Sequence, residues 1–333
     1  MTLQPPQGED EFETIARLLR PLARAPEAFG LADDAAAIPS RPGEDLIVSK
    51  DVLVAGVHFL EGDPLDLVAR KLLRANLSDL AAKAAEPYGY FLAVAWPSGT
   101  GWDERERLAA GLGRDQELFG LALLGGDTVS TPGPMMLSAT ILGWTPAGAM
   151  VRRSAARPGD RVLVSGTIGD GWLGLRAARG ELDGVLGPEA AEWLAGRYRL
   201  PEPRLELRDS LRAWAGGAAD VSDGLVADAA HIAAASGVQL RLELERLPVS
   251  EPATQWLARQ EDRAEALVAL ATGGDDYEVV LTCATAHAGT LISEAEASGV
   301  ALTDIGQVVE GEGTAALLEG RELELRRTGW RHG

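Results

Sequence analysis

Phe12, Ile15, Leu18 and Leu19 recur at the spacing of one helical face and predict an amphipathic helix over residues 9–20. Residues 46–59 (LIVSKDVLVAGVHF) read as strand material broken by the polar patch Ser49-Lys50-Asp51. A long helix follows over 64–85, with Pro64 near its start and Pro87 just past its end. A strand at 88–96, a helix at 103–119, residues 120–124 leading into a Gly125-Gly126-Asp127 turn, and a strand at 135–144 complete the first half. In the second half a strand at 161–165, a Gly-rich loop and a helix from about 172 to 179 come first. Helices at 186–200, 204–215, 224–236 and 285–298 follow, with strands near 238–244, 277–283 and 303–309. Gly237 reads as the C-cap of the 224–236 helix.

The segment 145–160 (TPAGAMVRRSAARPGD) is rich in Pro, Gly, Ala and Arg and reads as an interdomain linker. A chain of 333 residues favours two domains, set here at 1–148 and 149–333. Each half mixes strands with helices, so the expected class is α/β or α+β.

Charge narrows the functions open to such a chain. There are 31 Lys and Arg against 50 Asp and Glu, a formal net charge of −19. A surface this acidic repels nucleic-acid backbones, and it repels small anions too. Handling a phosphorylated substrate therefore calls for local cations, either basic side chains or bound metal. Cys283 is the one cysteine, which rules out an intrachain disulfide and a cysteine-rich zinc site; its apolar surroundings predict a buried structural thiol. The first residues, MTLQPPQGEDEFETIARLL, carry no apolar core of a signal peptide, and no stretch reaches the apolar length of a membrane span. A cytoplasmic setting is the expectation.

Short acidic clusters recur where strands end or helices begin: Asp33-Asp34, Ser49-Lys50-Asp51, Asn76-Leu77-Ser78-Asp79, Gly125-Gly126-Asp127-Thr128, Asp220-Val221-Ser222-Asp223-Gly224 and Gly273-Gly274-Asp275-Asp276-Tyr277-Glu278. Each alone has a plain structural explanation. Asp33 and Asp34 suit a turn, and Ser222 or Asp223 suits the N-cap of the helix that follows. Asp79 lies inside a helix and shares its face with Leu72, Ala75 and Asn76. A metal-bound carboxylate and a simple pair with Lys83 both fit it. Magnesium takes hard oxygen ligands, and phosphoryl transfer needs ions placed to neutralise crowded phosphates, so carboxylates from scattered loops suit that chemistry. No Walker A pattern occurs, so a nucleotide site here is not a P-loop.

In this order and spacing the clusters resemble the thiamine-monophosphate kinase family, within the aminoimidazole-ribonucleotide-synthetase-like superfamily. The resemblance also covers Gly8-Glu9-Asp10-Glu11-Phe12, Gly56-Val57-His58-Phe59, Arg153-Ser154-Ala155-Ala156-Arg157-Pro158-Gly159-Asp160 and Gly329-Trp330, nearly the whole chain. It implies the superfamily's two-domain fold, ATP and thiamine monophosphate as substrates, several magnesium ions, and a homodimer built by the N-terminal domains. It further implies Asp34, Ser49, Asp51, Asp79, Asp127, Asp220 and Asp223 as magnesium ligands, and Gly126, Asp127, Arg153 and Ser222 as ATP contacts. His58, Asp275 and Trp330 match positions around the thiamine phosphate. Three residues depart from the family pattern. Lys50 stands where Thr is usual, Ala32 where Gly is usual, and Asp275 where some members have Glu.

Other readings stay open at this level. Selenophosphate synthetase would want a reactive residue near the N-terminus, and the hydrogenase-maturation dehydratase a C-terminal Cys; neither is seen. A purine-pathway amidine synthase is excluded only by motif wording. Gly169-Asp170-Gly171-Trp172-Leu173-Gly174 fits the dinucleotide pattern G-x-G-x-x-G, whose plain alternative is close packing of helix on strand. Lys50 would suit a non-catalytic nucleotide-binding relative.

Overall fold

The computed structural model describes residues 11–330. Gly8, Glu9 and Asp10 of the opening motif, the start of the helix expected over 9–20, and the terminal Arg331-His332-Gly333 lie outside the described residues. The expected helix is broken up. Helix α1 (Glu11–Thr14) passes into a π turn (Ile15–Leu19) and then a 3-10 turn (Arg20–Leu22). Pro21 has no N–H to continue a helix, and Phe12 is exposed rather than packed.

The chain forms two compact units. One takes the described residues up to Leu80 together with Glu86–Gly148; the other takes Ala81–Ala85 and the chain from Ala149 onward. The first unit holds β1 (Glu44–Val54), α2 (Leu65–Ala82), β2 (Glu86–Pro97), α3 (Trp102–Phe119), β3 (Ala122–Thr131) and β4 (Met136–Pro146). Its sheet has the order β1-β4-β2-β3, with β2 and β3 parallel and the other neighbours antiparallel.

Two expectations about this sheet are corrected. Strand β1 is not broken at Ser49-Lys50-Asp51. All three pair with β4, opposite Ile141, Thr140 and Ala139. The polar patch is strand alternation, which sends Ser49, Asp51 and Leu53 to one face and Lys50 to the other. That first face is the covered one, since Leu53, Leu137, Ala139 and Ile141 are all buried. Second, Gly125-Gly126-Asp127 is not a turn but the middle of β3, opposite Phe91, Leu92 and Ala93 of β2. A Cβ on Gly126 would lie 1.8 Å from the Leu92 carbonyl oxygen, so only glycine lets the strands approach here.

The second unit holds β5 (Asp160–Ser165), α4 (Asp170–Ala178), α5 (Pro188–Arg199), α6 (Arg208–Trp214), β6 (Ala215–Val221), α7 (Leu225–Ser236), β7 (Gln239–Glu243), α8 (Glu251–Leu257), α9 (Arg263–Thr272), β8 (Glu278–Ala284), α10 (Thr285–Ala297), β9 (Leu302–Val309), β10 (Gly313–Leu318) and β11 (Arg321–Glu322). Its sheet has the order β11-β10-β7-β9-β5-β8-β6. Helices cover both faces. Val162, Val164 and Val280 share one core with residues of α4, α5, α7 and α9; Leu163 and Leu281 share another with Leu211 of α6 and Leu291 of α10. Burial on both faces is why β5 and β8 read as unbroken apolar runs. The mixture of strands and helices in each unit is the α+β class expected. Among the described residues no helix is long and apolar enough to cross a membrane.

Candidate active site

The residues singled out above fall on both units, and each unit is described by itself. In the first, the covered face of β1 meets α2. Ser49 Oγ donates to Asp79 Oδ2, a contact thirty positions apart in sequence. Asp51 lies on the same face two residues further on. Burial, and then the charge of Asp79, push the Asp51 carboxyl up to about 7. Two acids and a hydroxyl gathered here are hard oxygen donors, and burial beside a second carboxylate disfavours the ionised form of Asp51. That donor set fits magnesium. Lys50 does not enter the group. Its side chain projects to the opposite face of the sheet, which removes the feature that favoured a non-catalytic relative. Lys83 belongs to the second unit, where its Nζ donates to the Ala218 carbonyl at 2.7 Å.

Asp34 and Asp127 line a cavity of about 420 Å³ in the same unit. Its wall combines Gly126 and Thr128 with the apolar Ile15, Leu31 and Phe91. Asp34 and Asp127 are both exposed, and a backbone N–H at or beside each is engaged by a carboxylate. Asp33 Oδ1 accepts from the Asp34 N–H at 2.8 Å, and Asp127 Oδ1 accepts from the Thr128 N–H at 2.8 Å. An apolar wall beside exposed carboxylates suits a flat heterocycle carrying a cation-bound polyphosphate.

His58 lies in the turn after β1 rather than within the strand. Its Nδ1 accepts from the Val54 N–H at 3.1 Å, which assigns the ring proton to Nε2. The carbonyl of His58 accepts from Lys71 Nζ at 3.1 Å, and Lys71 is only 2% exposed.

In the second unit, Asp220 is the penultimate residue of β6, and Ser222 and Asp223 follow the strand before α7. Neither Ser222 nor Asp223 is the N-cap expected. Gly224 holds that position, with a φ of 118° that favours glycine. Instead Asp228, inside α7, reaches back and accepts from the Ser222 and Asp223 N–H groups, each at 3.0 Å. Burial pushes Asp228 up to about 7, helped by the Asp223 charge and opposed by those backbone bonds and by Arg153. The Asp275 N–H donates to the Ser222 carbonyl and the Trp330 N–H to the Asp223 carbonyl, each at 2.9 Å. Asp275 itself takes a left-handed φ of 69°. Thus Ser222, Asp223, Asp275 and Trp330 are brought together, with Trp330 as a residue 56% exposed. Arg153 is exposed, and its charge acts on Asp228.

Among the described residues no three His, Cys, Asp or Glu side chains already form a ready-made ion cage. The oxygen donors include a serine and lie in the separate groups just described. The Gly169–Gly174 loop is not a dinucleotide cradle. Its Gly169 and Gly171 N–H groups are taken by Asp276, at 2.8 and 2.9 Å. Cβ atoms on Gly171 and Gly174 would lie 2.2 Å from the Asp275 and Leu194 carbonyl oxygens, so the glycines serve close packing, onto a loop and α5. Sequence reasoning missed Asp228 and Lys71. For Asp228 the signal was a carboxylate among the apolar Leu225, Ala229 and Ile232 of one helix; Lys71 stands with Arg74 on its face and gave no such signal.

Comparison with known proteins decides the kinship. Residues 32–145 match the AIR synthase related protein N-terminal domain, and residues 157–319 the C-terminal domain of the same family. The chain is 57% identical to thiamine-monophosphate kinase of Caulobacter vibrioides, over 97% of this chain and 91% of that one. The chain belongs to the thiamine-monophosphate kinase family. Solved structures agree. That of thiamine-monophosphate kinase from Stenotrophomonas maltophilia superposes with a TM-score of 0.81 at 36% identity, covering 91% of this chain and 94% of that one. AaThiL complexed with AMPPCP and TMP gives 0.77 at 29% identity, covering 90% and 91%. In this family setting, two of the departures have local consequences. At Lys50 the strand alternation turns the side chain away from Ser49 and Asp51. Asp275 keeps the acid on a shorter side chain, carried on backbone held by Ser222.

Proposed function

We propose that this chain transfers the γ-phosphoryl group of ATP to thiamine monophosphate, giving thiamine diphosphate, by direct in-line displacement. The observation that carries the reading is the Ser49–Asp51–Asp79 group, in which a hydroxyl and two carboxylates meet on the covered face of β1 against α2. Kinship to thiamine-monophosphate kinases supports the choice of substrates.

Ser49, Asp51 and Asp79, Asp34 and Asp127, and Asp220 and Asp223 are the proposed magnesium ligands. When bound, the metal supplies positive charge that draws phosphate oxygens together and offsets charge at transfer. Gly126 and Asp127 meet the nucleotide beside an apolar wall. Arg153 grips phosphate oxygens with its planar fork, and Ser222 contacts ATP from its rigid loop. His58, with its proton on Nε2, donates to the acceptor phosphate. Trp330 offers a flat apolar face to the thiamine heterocycle, and Asp275 contacts the same substrate. The acceptor monoester has a second pKa of about 6 and attacks as it stands, so no general base is assigned.

Leu46, Val48, Val52 and Met136, with Lys50 between Val48 and Val52, leave a largely apolar strip on the open face of the first sheet. A second copy of the chain covers it in the proposed homodimer. A cytoplasmic setting and the absence of nucleic-acid and membrane partners complete the reading, supported by the net charge of −19.

The test is thiamine diphosphate formation from ATP, magnesium and thiamine monophosphate, followed in a single turnover. Asp51→Asn and Asp79→Asn are expected to slow transfer roughly a hundredfold at limiting magnesium. ATP turnover that ignores thiamine monophosphate, or variants that keep the wild-type rate, would overturn the assignment.

A further inference from the structure

Asp228 is 3% exposed and sits on the apolar face of α7 with Leu225, Ala229 and Ile232, all buried. A carboxylate there is costly unless hydrogen-bonded, and packing alone would favour an aliphatic side chain. What it does is local. Its Oδ2 accepts both backbone N–H groups of the Ser222-Asp223 dipeptide. The two carbonyls of that dipeptide accept from the N–H groups of Asp275 and Trp330. Every backbone polar group of the pair is therefore engaged. Its donors go to Asp228, and its acceptors go to the two segments that carry the thiamine-phosphate contacts. Neighbouring glycines leave little slack. A Cβ on Gly274 would lie 2.6 Å from the Ser222 carbonyl oxygen, and one on Gly329 would lie 2.6 Å from that of Asp223.

We propose that Asp228 is a positioning residue. It fixes the Ser222-Asp223 dipeptide and, through it, ties the nucleotide and metal contacts to the segments of Asp275 and Trp330, so that the two substrates bind with positive coupling. This rests on the substrate roles given under the proposed function.

Two measurements on the intact wild-type protein test it. Magnesium with a non-hydrolysable ATP analogue, without thiamine monophosphate, should slow hydrogen exchange at the Asp275 and Trp330 amides. Calorimetry should show thiamine monophosphate binding about tenfold more tightly when that analogue is present. Asp228→Ala should abolish the tightening and speed exchange at the Ser222, Asp223, Asp275 and Trp330 amides. Asp228→Asn retains an accepting oxygen and should keep the coupling. Unchanged exchange at Asp275 and Trp330 in the wild type, or full coupling in Asp228→Ala, overturns the proposal. A loss of coupling in Asp228→Asn equal to that in Asp228→Ala also overturns it. An alanine variant that does not fold leaves the wild-type measurements to decide. Failure of the proposed function shows separately, as absence of thiamine diphosphate.

Discussion

Asp170 is fully buried at the start of α4, where Thr167 Oγ1 and Ser250 Oγ donate to it at 2.5 and 2.6 Å. Burial raises its pKa against the pull of those two bonds. The folded protein therefore holds a proton that the unfolded chain, with an Asp pKa of about 3.9, has already lost. This contribution to stability is fully present below about pH 4 and is lost as pH rises through the folded value. Urea unfolding at about pH 5 and about pH 8 should show Asp170→Asn gaining on wild type at the higher pH. Lys71 makes a second prediction at this scale. Replacing it with Met keeps the bulk but removes the bond to the His58 carbonyl. Steady-state kinetics should show the KM for thiamine monophosphate rising roughly tenfold, with that for ATP little changed. The candidate ligands were legible as residue types at motif spacing. Their partners were not. Ser49 meets Asp79 across thirty positions, and Asp228 acts through backbone that a sequence does not display.

Elements came out of the sequence wherever periodicity was strong, as in α2, α3, α7 and β8. They were missed where the segment was short or its composition ambiguous. Helices α8 and α9 went unread although each carries a side-chain cap. Ser250 accepts from the Ala253 N–H, and Asp262 accepts from those of Ala264 and Glu265. Strand β6, AGGAADV, is too rich in small residues to show alternation, although burial in the sheet makes it a strand. Strand β3 was hidden because glycines that signal turns elsewhere are needed here for close strand approach. Helix contacts supply the prediction at this scale. A Cβ on Gly174 of α4 would lie 2.2 Å from the Leu194 carbonyl oxygen and 2.7 Å from the Tyr198 Cβ in α5. Gly174→Ala should destabilise the protein by about 1–3 kcal/mol in urea unfolding.

At the scale of the molecule, the open face of the first sheet is the feature with the clearest consequence for assembly. Val48 is 56% exposed at its centre. In the proposed homodimer a charge placed there opposes burial against the second copy, so Val48→Asp should give a monomeric mass in light scattering where the wild type gives a dimeric one. The limits of the units were only partly legible. The run of small residues near 148 marks the last crossing of the chain, but no composition change marks the earlier loan of residues 81–85. Ala82 and Ala84 lie in the core of the second unit, and the Lys83 carbonyl accepts from the Val151 N–H at 3.3 Å. Anyone swapping the downstream half between related enzymes at the 148/149 junction would leave this pentapeptide behind in the wrong donor. Chimaeras that carry it across with the rest of the downstream piece keep the native interior intact.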